Sequence, residues 1–203
     1  MLGTAAPQRC PSPHLARPLA CYAHSWLVNA NVGVAQPREE GNVQPILDRI
    51  LTLNLIGTTL VFYVAARLYV LPRLGELAPR TVLLPILLLH SLRHLGLMFL
   101  TRGAVYPGLP PQFAYPAALG DLLAAFLAFA SIAAVIKDWK VGRPLVWVFN
   151  IFGTLDLFVA ITLGAIYQAS ITMGPAYWIP AFWVPAMLVT HYITFIVLRK
   201  HWV

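Results

Sequence analysis

The chain has 203 residues, of which 59% are hydrophobic and 10% charged, with a mean hydropathy of +0.72. A soluble domain carries about a quarter charged residues, so this composition excludes a water-facing globule and makes lipid the solvent for most of the length. The net charge of +7 does not indicate a nucleic-acid partner, because the basic residues flank apolar stretches, where they act as topology signals.

Residues 1–44 are rich in Pro, Ala, Arg and His and show no sustained apolar periodicity. They contain no apolar core of a cleaved signal peptide. Cys10 and Cys21 both lie here and offer neither a disulfide framework nor a metal-ligand spacing. Two expectations follow. If translated, the segment is disordered. Alternatively it lies upstream of the true start: Arg38, Glu39, Glu40 and Gly41 can be encoded by purine-rich codons resembling a bacterial ribosome-binding site, and Val43 by a GTG start codon.

Residues 45–203 read as one transmembrane domain. A helix needs about 20 apolar residues to cross the hydrocarbon core, and five stretches qualify: Ile46–Leu71, Thr81–Leu100, Pro116–Ile136, Pro144–Tyr167 and Ile179–Leu198. Between them lie LPRLGELAPR, TRGAVYPGLPPQFAYP, KDWKVGRP and QASITMGPAYW, each broken by Pro, Gly or charge. No internal repeat is visible, so the inverted-repeat signature of many transporters is missing from the sequence. The predicted fold is an all-α, polytopic bundle of five transmembrane helices. Arg73, Arg80, Lys137, Lys140, Arg143, Arg199 and Lys200 collect on one side, against Arg49 and Arg102 on the other. The richer side is expected to be cytoplasmic, with the N-terminus outside. Arg67 snorkels to that side. Tyr106, Tyr115, Tyr177 and Trp178 on one side, and Trp139, Trp147 and Trp202 on the other, suit interfacial belts.

Within these spans sit groups that hydrocarbon tolerates badly. An ionisable side chain in a bilayer costs at least a few kcal/mol and faces the bundle interior, toward a partner. Counted from the same side of the membrane, His90 is about 11 residues deep, Asp156 about 12 and His191 about 12. At 1.5 Å per residue these depths agree within about 2 Å, near the midplane. His94 and Asp121 form a shallower layer, with Arg93 between the two. His90, Arg93, His94 and Leu97 share one face of an α-helix. Asn150 is deeper, with Thr154 one turn above it. Asn54 and Thr58 sit one turn apart in the first span, able to bond to a neighbour. Gly57, Gly96, Gly120 and Gly153 permit close helix approach, and Pro180 and Pro185 kink the last span. The expected buried polar centre is therefore His90, Arg93, His94, Asp121, Asn150, Asp156 and His191.

Four readings of this centre stand side by side. It is a structural network that holds the helices together. It binds haem, with His90 and His191 as axial ligands, or a transition metal through His90, Asp156 and His191. It is a proton relay coupled to transport of a small solute, a task for which five helices call for a homodimer. Or it is a metal-free enzyme site working on a lipid or quinone by acid–base chemistry. The first partner in every case is the lipid bilayer.

The runs HSLRHLGLMFL, GDLLAA, NIFGTLDLF and IPAFWVPAMLVTH resemble a widespread group of small bacterial five-helix integral membrane proteins of unknown function. The resemblance covers about residues 45–200. It implies a multi-pass protein of a bacterial inner membrane and carries no activity with it.

Overall fold

The computed structural model describes residues 44–202, with side chains from residue 49 on; the expectations for residues 1–43 fall outside the described residues. Every regular element of the described chain is a helix, the form that satisfies its own backbone hydrogen bonds where no water is at hand. Helix α1 (Gln44–Ala65) runs on through a π-helical turn (Ala66–Val70) and a 3-10 turn (Leu71–Arg73). Helix α2 (Pro79–Ser91) continues as a long 3-10 helix, Leu92–Leu100. Helices α3 (Pro111–Ile136) and α4 (Gly142–Ile166) are uninterrupted. Helix α5 (Val184–Ile196) is preceded by a π-helical turn (Ile179–Trp183) and followed by another (Val197–His201). With these extensions, five segments are long and apolar enough to cross a membrane: Arg49–Arg73, Pro79–Leu100, Pro111–Ile136, Gly142–Ile166 and Gly174–His201.

The helix ends follow from local chemistry. Pro79 and Pro111 stand in the first turn of α2 and α3, where a missing N–H costs nothing. Helix α3 ends in a left-handed residue, Asp138, at φ 53°. The Trp139 N–H then bonds the Ala134 carbonyl at 3.0 Å and the Asp138 N–H the Val135 carbonyl at 3.4 Å, closing a Schellman motif with Asp in the place usually taken by Gly. Pro180 and Pro185 sit in and just after the π-helical turn that opens the last span; there a ring without an N–H breaks the α-helical ladder.

Short connections at residues 74–78 and 137–141 join consecutive helices antiparallel and are tied by an Arg80–Asp138 ion pair of 2.8 Å. This is the basic end. At the opposite end the connections 101–110 and 167–173 are knitted by backbone bonds, Tyr106 N–H to Thr172 at 2.9 Å and Ala176 N–H to Ala104 at 2.9 Å.

Helix α3 packs against both α2 and α4. Its inward face is Ala114, Ala117, Ala118, Ala124, Ala125, Ala128 and Ala134, small residues that let neighbouring backbones approach. Helix α1 lies against α5 and is the peripheral helix: 6% of its most apolar window is buried, against 56% for the last span. Gly57, expected to permit close helix approach, faces open space. Asn54 does reach a neighbour, donating to the Tyr177 hydroxyl at 3.1 Å.

Two apolar clusters fill the interior. One, toward the basic end, is built on Leu83, Leu87, Val135, Val146, Phe149, Ile193 and Val197. The other, toward the opposite end, is built on Phe99, Phe113, Ala117, Leu157, Met173 and Met187. Along α2, α3 and α4 the polar residues of the centre fall between the two, and on α5 His191 lies at the near edge of the first, between Val189 and Ile193.

Candidate functional site: a buried arginine shared by two aspartates

Arg93 is the hub. Its side chain is fully buried, yet each nitrogen of the guanidinium has a partner. Nε donates to Asp121 Oδ1 at 2.7 Å, and Nη2 to Asp156 Oδ2 at 2.5 Å. Nη1 donates to the Gly153 carbonyl at 3.1 Å and faces His191 Nε2 at 3.4 Å. One residue of the 3-10 segment thus ties α3, α4 and α5 together.

The hydrogen bonds determine the histidine tautomers. Arg93 has only donors, so His191 Nε2 accepts and its Nδ1 carries the proton. That proton goes to Asn150 Oδ1 at 2.7 Å, while Asn150 Nδ2 donates to the His191 carbonyl at 3.3 Å. The Thr190 hydroxyl lies 2.9 Å from the Ala186 carbonyl and 3.0 Å from that of Met187, to which it donates. With its one proton on either carbonyl, it accepts from His90 Nε2–H at 2.9 Å in the tautomer assigned to that ring. His90 Nδ1 is left a bare lone pair, buried and without a hydrogen-bond partner among the described residues. The two imidazoles touch, with centroids 4.2 Å apart, and Phe149 packs on both at 5.1 and 5.2 Å.

Three glycines make the space. A Cβ at Gly96 would collide with the Asp121 carboxylate, and one at Gly120 with the Asp156 carboxylate. At Gly153 it would meet His191 Cε1 at 2.7 Å, His191 Nε2 at 2.8 Å and Arg93 Nη1 at 2.9 Å. Asp121, Asp156, His191 and Arg93 thus each lie against a glycine of another helix.

Asp121 also borders a cavity. About 170 Å³ of space lies toward the end away from the basic loops, among Phe99, Phe113, Ala117, Leu157, Ala160, Ile161 and Met173. Among the described residues, Asp121 is its one ionisable lining residue. A wider apolar groove of about 620 Å³ runs between α1, α4 and α5, and Leu55 and Ile161 line both spaces.

The structure brings together six of the seven residues expected in the centre: His90, Arg93, Asp121, Asn150, Asp156 and His191. His94 is not among them. It faces outward, with Nδ1 3.0 Å from the Ser91 carbonyl. The expectation assumed an α-helix through residue 97. In a 3-10 helix, residues three apart eclipse, so Arg93, Gly96 and Phe99 form the buried row and His94 turns away. Thr190 and the Gly153 carbonyl were not foreseen; a threonine beside a histidine and a backbone oxygen carry no signal in sequence.

The ligand sets expected for a metal or haem do not fit this arrangement. His90 and His191 are in ring contact, which leaves no plane between them for a porphyrin. Asp156 and His191 both face the Arg93 guanidinium, a fixed positive charge where a metal cation would sit. Among the described residues, no group of three or more His, Cys, Asp and Glu side chains is placed to hold a metal ion.

No curated protein and no solved structure matches the chain. A family match spans residues 50–199, which include every residue of the centre, and on that match the chain belongs to the family described as Domain of unknown function (DUF8737).

Proposed function

We propose that this is a multi-pass protein of a bacterial inner membrane, N-terminus outside, whose buried centre exchanges a proton in support of moving a small solute across the bilayer. The observation that carries the reading is the sharing of Arg93 between Asp121 and Asp156. One guanidinium cannot neutralise two carboxylates, and the tautomers assigned to His90 and His191 are uncharged. With both carboxylates ionised the centre is one positive charge short, in a medium where an uncompensated charge is costly. A proton restores neutrality. His90 Nδ1 offers a further proton acceptor within the same layer. Asp121, bordering the cavity, is the group through which a solute would meet this charge. A homodimer of five-helix bundles is the working unit in this reading.

Infrared difference spectroscopy of the protein in lipid vesicles, between acid and alkaline pH, tests the exchange. A carboxylic-acid carbonyl band that titrates, and is lost or moved in Asp121→Asn and Asp156→Asn, is the expected result. A wild-type spectrum without such a band would overturn the reading.

A second reading has its own support: every nitrogen of Arg93 is satisfied, as a static pin between helices requires. That reading expects no titrating band.

A further inference from the structure

The cavity beside Asp121 has the size and chemistry of a ligand site. Its volume of about 170 Å³ is close to the roughly 150 Å³ of an apolar protein cavity known to take up benzene. An aromatic ring with a short substituent is the scale of guest that fits. The walls suit one: Phe99 and Phe113 meet edge to face with centroids 5.2 Å apart, and Leu157, Ile161 and Met173 are among the apolar residues of a lining that also includes the hydroxyl-bearing side chain of Thr52.

The charge of the guest follows from the wall. Asp121 is the one ionisable group on the cavity among the described residues. The guanidinium behind it is wholly buried and already divided between two carboxylates, so it has no fork to offer an anion. A cation meets a carboxylate whose only counter-charge is shared. Access also fits an amphiphile. Leu55 and Ile161 line both the cavity and the apolar groove between α1, α4 and α5, so only side chains stand between the site and a guest seated in that groove.

We propose that this cavity binds a small lipophilic amine in its protonated form, ring among the phenylalanines and ammonium on Asp121. It is a deepening of the proton-exchange reading, on which only the following step rests. Binding to the neutral centre converts RNH3+ and a protonated carboxyl group into an RNH3+–carboxylate pair and a free proton. Charge and atoms balance, and one proton leaves for each amine bound.

The test is isothermal titration of the full chain in lipid nanodiscs with benzylamine, benzyl alcohol and benzoate. Benzylamine should bind at one per chain and outbind both other probes by at least about tenfold, the worth of one charge-assisted hydrogen bond. Asp121→Asn should abolish that preference. Because Asp121→Asn disturbs the ion pairs, Ala160→Phe provides a second variant: it fills the cavity, leaves the pairs in place and should abolish binding. Benzyl alcohol binding as tightly as benzylamine, or full benzylamine affinity in Ala160→Phe, overturns the amine site. The same titration in weak buffer separates the two readings. Benzylamine binding without proton release supports the amine site and counts against proton exchange. A titrating carboxylic-acid band with no benzylamine binding supports proton exchange and overturns the amine site.

Discussion

Gly96, Gly120 and Gly153 are steric requirements of the polar centre, since a methyl group at any of them would enter space held by Asp121, Asp156, His191 or Arg93. Neither carboxylate nor Arg93 can retreat without loosening an ion pair, and His191 cannot without losing its contact with Arg93. Ala at Gly120 or Gly153 is therefore expected to cost on the order of 2–4 kcal/mol, combining overpacking with a damaged ion pair. Ala at Gly57, where a Cβ meets open space, should be neutral or slightly stabilising through helix propensity. Thermal unfolding in detergent, with Gly57→Ala as the control, reads both. Arg93→Ala buries two carboxylates without their cation and should cost about 3–5 kcal/mol. Arg93→Lys should recover only part of this, because an ammonium cannot span Asp121, Asp156 and the Gly153 carbonyl as a planar fork does. That Arg93 and both aspartates face inward was legible in the sequence, because a charged group in a span has nowhere else to go. That glycine seats them was not, because contact between helices is invisible in a single chain's spacing.

Among the elements, α2 is the one whose internal geometry sets the site. Its change to a 3-10 helix at Leu92 aligns Arg93, Gly96 and Phe99 and turns His94 outward. The two histidines of HSLRH therefore have different fates. His94→Ala should leave stability and any transport unchanged, whereas His90→Ala removes the partner of Thr190 and a ring packed on Phe149 and His191 and should cost about 1–3 kcal/mol. Thermal unfolding of the two variants side by side checks this. An α-helical face through residue 97 would instead give both histidines comparable effects. The Arg80–Asp138 pair at the basic end is of another kind. Its side chains are 49% and 78% exposed, and Arg80→Ala should change stability by less than about 1 kcal/mol. What the sequence could not convey here is the rotation of α2, since helix type depends on which carbonyl each N–H bonds, and Asp121 pressing on Gly96 belongs to that choice.

For the whole molecule, the asymmetry of basic residues makes orientation testable. Single cysteines at Lys140 and Tyr106, in opposite loops, should react with a membrane-impermeant maleimide from opposite sides, Lys140→Cys only after the inner leaflet is opened. The reverse pattern would invert the assigned topology. The five spans, their connections and the polar layer among them followed from composition and order along the chain. Transfer of a side chain into hydrocarbon is a local, nearly additive property, so hydropathy summed over about 20 residues reports it before any folding is considered. The pairing inside the layer is different in kind. Which carboxylate takes which guanidinium nitrogen, which lone pair of His90 stays bare, and that Asp121 alone opens on a cavity all depend on the mutual rotation of four helices. That rotation is a collective result of glycine contacts and hydrogen-bond register, and it exists only once the bundle has closed.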